Sequence, residues 1–291
     1  MFYTASSQLQ GLLKRAWQTR MDNFPPNIQF DFPVDTAIVS LTGTQCALNC
    51  AHCGRHYLQH MIPIWEAERV PEAAPSALIS GGSDANGRVP VTSNLEKVAA
   101  LASGRRLNWH VGLIDDAEAK AIASYAAVIS LDFVGDDETI REVYGLDKTV
   151  ADYVQSYNIL RQYAPVMPHI TIGLRGGKLG HERPAMERLA QLGLDGLVFL
   201  VLMPTPGTRY ADCRPPAVAD VACILAEARL RFPDKPIYLG CMRPKGRYRG
   251  ELDPLAVRAG LNKIVNPTRP AVQLAEKLGL SISRGRECCA L

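Results

Sequence analysis

Three cysteines fall within eight residues, Cys46, Cys50 and Cys53 in the stretch LTGTQCALNCAHCG (41–54), separated by three and then two residues. At the end of an apolar run, that spacing turns three sulfurs toward a common point only if the chain loops around something. Thiolates select zinc, copper(I) or iron-sulfur clusters. A structural zinc site wants four ligands, usually as two CxxC-like pairs, and the loop supplies three. Two readings follow. His52 or His56 completes a zinc loop, or the three thiolates hold a cubane of four irons and leave one iron open to a small molecule.

The elements that position this loop form a regular series. Leu9, Leu12, Leu13 and Trp17 mark an amphipathic N-terminal helix. A linker follows, Asn23 to Pro33, whose Pro-Pro and Phe-Pro steps exclude helix. Strands are then expected at 36–44, 77–82, 108–113, 128–135, 166–174, 196–203, 237–242 and 263–265. Helices are expected between and after them, at 95–103, 117–127, 137–144 with 150–163, 185–192, 217–231, 254–259 and 270–278. Roughly eight strand-helix units predict an α/β fold of parallel strands, a (β/α)8 TIM-type barrel, complete or nearly so. Its expected divisions are 1–33 (helix and linker), 34–280 (barrel) and 281–291 (a cysteine-bearing tail folding back to the barrel mouth). Active sites of such barrels lie at the C-terminal strand ends. The cysteine loop, Gly81-Gly82, Asp132, Gly173 and Met203-Pro204-Thr205-Pro206-Gly207-Thr208 all stand at predicted strand ends.

The spacing CxxxCxxC closely resembles the signature of the radical S-adenosylmethionine superfamily. The resemblance implies a [4Fe-4S] cluster on Cys46, Cys50 and Cys53, with S-adenosylmethionine on the open iron. One electron from the reduced cluster would then cleave it to methionine and a 5′-deoxyadenosyl radical that takes a hydrogen atom from substrate. Ser80-Gly81-Gly82-Ser83 resembles the family's glycine-glycine motif, which binds the methionine amino group; the usual Glu is here Ser83, followed by Asp84. By the same resemblance Asp132 accepts the ribose hydroxyls, with Asp136 as competitor. Gly173, after His169, lies near adenine; Met203 and Pro204 belong to a proline-glycine turn after the sixth expected strand, as in biotin-synthase-like members; and His52 stands where an aromatic residue usually meets adenine. Local turns and interior packing account for the same residues without a ligand, His169 being read as interior.

A second set consists of Cys241, Cys288 and Cys289. Cys241 ends the seventh expected strand, and residues 281–287, if extended at about 3.3 Å each, climb roughly 20 Å from the far face. Adjacent cysteines strain to bridge each other, but both can ligate metal. A second, auxiliary iron-sulfur cluster on these three is expected, its fourth ligand coming from substrate, Ser283 or Cys213; the alternative is a frayed tail with a buried Cys241. Cys223, in an apolar helix, reads as core. The LGC-MRP-G-R stretch and the Cys-Cys tail resemble the two-protein lipoyl synthases. That narrower resemblance implies a sulfurtransferase acting on an octanoyl-lysyl carrier protein, a partner radical S-adenosylmethionine protein, and a ferredoxin or flavodoxin as electron donor. Rearrangement or cofactor maturation without sulfur insertion is the alternative, and a non-catalytic zinc or electron-transfer protein a more distant one.

The chain has 291 residues, 47% of them hydrophobic, enough for one large core. Its net charge of +3 does not imply nucleic acid, although Lys245, Arg247 and Arg249 would suit an acidic carrier. No apolar run reaches the roughly 18 residues of a membrane span. With eight cysteines suited to metal ligation in a reducing compartment, a soluble cytoplasmic protein is expected.

Overall fold

The computed structural model describes residues 7–291, so the first six residues of the N-terminal segment 1–33 lie outside the described residues. In chain order the strands are β1 (Asn27–Asp31), β2 (Thr36–Ser40), β3 (Ile62–Pro63), β4 (Ser76–Ser80), β5 (Arg106–Val111), β6 (Val128–Asp132), β7 (Val166–Ile172), β8 (Leu197–Val201), β9 (Ile237–Leu239), β10 (Lys263–Val265) and β11 (Ser281–Gly285). The helices are α1 (Ser7–Asn23), α2 (Leu95–Ala102), α3 (Asp116–Ile122), α4 (Asp137–Thr139, widening through Ile140–Tyr144), α5 (Val150–Leu160), α6 (Glu182–Leu192), α7 (Val218–Arg231), α8 (Arg247–Arg258) and α9 (Arg269–Lys277). All eight expected strands are present; 263–265 has the expected bounds, and the other seven are shorter at their C-terminal ends because those residues turn out into loops. The fold is α/β with parallel pairing.

The chain divides into two compact units. One comprises Val34–His169, Pro204–Asp212 and the last two residues. In it β3, β2, β4, β5, β6 and the first part of β7 lie side by side in parallel, with Ser40 opposite Ser80, His110 opposite Ser130 and Asp132 opposite His169. The strands read as buried apolar runs (Ala77, Ile79, Trp109, Ile129, Leu131) because helices cover parallel sheets. Capping boxes start α3 at Asp115 and α5 at Thr149.

The other unit comprises the described residues up to Pro33, Ile170–Met203 and Cys213–Cys289. Its strands pair in parallel in the order β8, β9, β10, β1, β11. Two of these were not expected as strands. Pro25 and Pro26 force extended backbone into Asn27, and β1 then fits between β10 and β11, with Ile28 and Phe30 fully buried. In the tail, Ser281–Gly285 pairs residue for residue with Asn27–Asp31. The helix expected at 254–259 begins earlier, at Arg247, and runs through Pro254. Helix α1 buries Leu9, Leu13, Ala16 and, against the amphipathic pattern, Arg20, whose guanidinium donates to the carbonyls of Pro25 and Asn27.

Among the described residues no helix is long and apolar enough to cross a membrane.

Candidate functional site

The cysteine loop leaves β2 and is held by backbone contacts to its neighbours. Thr42 is the pivot: its hydroxyl donates to the Gln45 carbonyl at 2.8 Å and accepts the Gly82 N–H at 2.7 Å. The Ala47 N–H donates to the Ser83 carbonyl at 2.7 Å, and the Ser83 N–H to Cys46 Sγ at 3.3 Å. Gly81, Gly82 and Ser83 are therefore zipped along the first cysteine. A β-carbon on Gly82 would lie 1.9 Å from the Gln45 carbonyl and 2.6 Å from Cys46 Cβ. The glycine that the sequence reading assigned to ligand approach is demanded first by the loop itself.

The second half of the loop is a tight reversal. N–H groups of Cys53 and Gly54 donate to the Cys50 carbonyl, and Gly54 and Arg55 are both left-handed, φ 50° and 66°. Between the cysteines, fully buried Ala51 donates to the Val143 carbonyl at 2.7 Å and accepts the Tyr210 N–H at 3.0 Å. Those two anchors orient the backbone that carries Cys50, His52 and Cys53.

Around this loop stand the polar groups of the strand ends. Asp132 closes β6, with its Oδ1 3.4 Å from His110 Nε2; that distance is long, and the buried oxygen makes no proper hydrogen bond. Burial drives the Asp132 carboxyl upward, but the His110 imidazole, then His169 and His52, outweigh it and bring it down to about 2. His110 stacks on His169, with ring centres 5.5 Å apart. His169 is interior, as expected: it is 4% exposed, its Nδ1 lies 3.0 Å from the Met167 carbonyl, and burial lowers its pKa to about 4. Asp136 caps α4 by accepting the Thr139 N–H at 2.6 Å, which accounts for it without a ribose.

His52 meets the edge of Tyr144 at 5.7 Å, and its buried Nδ1 has no partner. Tyr144 and Tyr153 were missed by the sequence reading; burial, then Asp132, raises both phenols. The only local signal was Tyr144 standing before the helix-ending Gly145. After β8, Thr205 and Thr208 close the Pro204–Gly207 turn, and Tyr57 Oη stands 3.0 Å from Thr205 Oγ1.

The donor set fits an iron-sulfur cluster. Burial, then Cys53 and Cys46, pushes the Cys50 thiol up to about 12, and burial raises Cys53. Two thiols whose ionisation is opposed by burial and by the neighbouring cysteines want a cationic centre beside them. Among the described residues no group of three or more His, Cys, Asp or Glu is arranged to hold a single metal ion; in a multi-iron cluster the thiolates bind separate irons.

In the other unit Gly173 ends β7 at φ 72° with Pro216 against its Cα, where a β-carbon would meet the ring at 2.7 Å. Its N–H donates to Glu182 Oε1 and its carbonyl accepts from Gly177, both at 2.7 Å. Its N–H is therefore committed within the loop, while the carbonyl keeps a second lone pair. Met203 follows β8, half-buried.

The structure brings Cys241, Cys288 and Cys289 together. Burial raises the Cys241 thiol and Cys288 raises it further; the Cys289 thiol is pushed well up by its hydrogen bond with Cys288 and by desolvation, Cys241 adding to the effect and Lys263 opposing it. The loop after Cys241 is clamped by Arg243, fully buried and bidentate to Asp253 at 2.8 and 3.0 Å. Arg249 Nη2 donates to the carbonyls of Cys241 and Arg243 at 3.2 and 3.0 Å. Arg249 is thus turned into the loop, whereas Arg247, 88% exposed at its side chain, pairs with Glu251. Of the fourth-ligand candidates, Ser283 is exposed on β11 and Cys213 is half-buried.

No protein-family model and no curated protein matches the chain. Solved structures do. Methylornithine synthase (PylB) superposes with a TM-score of 0.69 at 16% identity, covering 97% of this chain and 91% of that one. HydG, a maturase of the [FeFe]-hydrogenase, gives 0.71 at 13%, covering 97% and 70%. Streptococcus suis SuiB, solved bound to S-adenosylmethionine, gives 0.54 at 13%, covering 80% and 58%. The chain shares the fold of these proteins.

Proposed function

We propose that this chain is a radical S-adenosylmethionine enzyme, its barrel built on eight strand-helix units. The observation that carries the reading is the Cys46-Cys50-Cys53 loop, zipped to Gly82 and Ser83, in the same unit as an anionic Asp132 and a buried His52 with an unused nitrogen. The fold shared with a protein solved with S-adenosylmethionine supports it. Cys46, Cys50 and Cys53 hold a [4Fe-4S] cluster, which with S-adenosylmethionine supplies one-electron cleavage to a 5′-deoxyadenosyl radical. Asp132, ionised throughout the working range, accepts the ribose hydroxyls; His52 offers its free nitrogen and ring to the adenine end; Ser83 and the glycines fix the methionine end. Anaerobic reconstitution, dithionite reduction and chromatography for 5′-deoxyadenosine test this. No product from a preparation whose first cluster is intact overturns it.

The finer reading is a sulfurtransferase. Cys241, Cys288 and Cys289 hold an auxiliary cluster as sulfur source, and the substrate is an octanoyl-lysyl chain on a carrier protein, with a partner radical enzyme and a ferredoxin or flavodoxin donor. Thiolated octanoyl-lysyl peptide by mass spectrometry supports it, a single sulfur pointing to a partner that inserts the other. Rearrangement or cofactor maturation is the second reading, favoured by the fold shared with methylornithine synthase and the maturase HydG. A Cys288→Ala/Cys289→Ala chain that loses about four irons yet keeps full turnover on its substrate would select it.

A further inference from the structure

A buried lysine lies under the second thiol set. Lys263 opens β10 and is 3% exposed. Its ammonium touches three separate pieces of chain: Asp31 Oδ2 of β1 at 3.1 Å, the face of Tyr238 in β9 at 4.8 Å, and the carbonyl of Cys289 at 3.4 Å. Asp31, 1% exposed, is steadied by Gln29 Nε2 at 2.8 Å. The tail is shaped around it: a β-carbon at position 285 would stand 2.1 Å from Asp31 Oδ1, so only glycine lets β11 lie against the carboxylate.

A buried ion pair is a poor way to gain stability, since well-packed apolar residues of the same volume do as well or better. What it provides is a fixed point. Tyr238, opposite Lys263 in register, lies three residues before Cys241, and the Cys289 carbonyl adjoins the second and third thiols. One ammonium therefore ties both arms of the thiol set to β1.

We propose that Lys263, held by Asp31, is the positioning residue that seats Cys289 and Cys288 beside Cys241. The proposal rests on the reading of this thiol set as a cluster site. Lys263 is not a ligand; it acts by holding the tail strand and the end of β9 in one place, and Asp31 acts through it.

The test uses the full chain, reconstituted anaerobically, with iron and sulfide counted per chain. Lys263→Met is expected to lose about four irons, as Cys288→Ala/Cys289→Ala does, while 5′-deoxyadenosine formation from the first cluster persists. If Lys263→Met does not fold by circular dichroism, Lys263→Met/Asp31→Leu removes both charges together and is expected to show the same loss in a folded chain. Full iron in either folded variant overturns the proposal. A second readout needs no metal: in the metal-free chain, N-ethylmaleimide is expected to label Cys288 and Cys289 about tenfold faster in Lys263→Met than in the parent, because the tail opens more often. Unchanged labelling also overturns it. If the parent itself binds no more iron than Cys288→Ala/Cys289→Ala, the cluster reading fails, and the labelling result alone decides whether Lys263 seats the tail.

Discussion

The two thiol sets of this chain are built in opposite ways. Cys46, Cys50 and Cys53 lie on one short loop, and what holds them is backbone: the Thr42 hydroxyl, the Gly82 and Ser83 amides, and Ala51 pinned from both sides. Cys241 and the Cys288-Cys289 pair are separated in sequence by α8, β10, α9 and β11, and what gathers them is buried charge, Arg243 with Asp253 on one arm and Lys263 with Asp31 on the other. A local set needs only spacing and a glycine. A distant set must first fix the strands that bring it together.

Substitutions can break this contrast at different strengths. The largest effect belongs to Cys50→Ala: 5′-deoxyadenosine falls to background and about four irons are lost, with the iron bound by the second set still present. Iron retained in full would show that the loop does not hold the first cluster. Next comes Arg243→Met, which leaves buried Asp253 without its counter-charge, held only by the Thr268 N–H; urea unfolding is expected to register about 3–5 kcal/mol of lost stability, with the Cys241 arm failing first. Gly82→Ala should act on the first set alone. It forces a β-carbon into the Gln45 carbonyl and costs about 1–3 kcal/mol, seen as loss of first-cluster iron with the second set's absorbance unchanged.

A further effect, comparable in size to that of Gly82→Ala but spread over a pH range, is on pH dependence. Burial, then His110, holds His169 down to about 4, Asp132 and the Met167 carbonyl opposing, against an ordinary value of 6.5. As pH falls, the unfolded chain takes up the proton first, so this residue's contribution is complete above 6.5 and is lost progressively toward 4. The total is about 3 kcal/mol. His169→Gln should flatten that part of the stability curve; an unchanged slope between about pH 6.5 and pH 5 would remove His169 from the account.

Much of the first set was legible because its determinants are local. The cysteine spacing, the β-branched run before it and the glycines of 80–83 each sit within a few residues of the atoms they serve. The eight expected strands were legible for the same reason: parallel strands buried on both faces are short apolar runs. Strands β1 and β11 were not. Each is polar at alternate positions; β11 becomes a strand by pairing with β1, and β1 by pairing with β11 and β10, contacts that no local pattern records. The same limit hid Lys263, which reads as a charged residue opening a three-residue strand until Asp31 is placed beside it. The structural demand on Gly82 was not legible, because a glycine required by a ligand and one required by a neighbouring carbonyl look alike in sequence. Arg249 was grouped with Arg247 on charge, although one turns into the loop and the other outward.

The division of the chain also sets a schedule. The unit carrying the first thiol set is almost one continuous stretch, Val34 to His169, completed by a short return at Pro204–Asp212. The other unit draws β1 from the start of the described chain and β8 to β11 from its second half, so its closure waits on loops that span most of the polypeptide. Contacts of low sequence separation form sooner than those that close long loops. The loop of Cys46 to Cys53 is therefore in place while Cys241, Cys288 and Cys289 are still apart. Pulse-labelling hydrogen exchange during refolding should see amides of β2, β4, β5 and β6 protected before those of β1, β10 and β11; the reverse order would contradict this sequence of events.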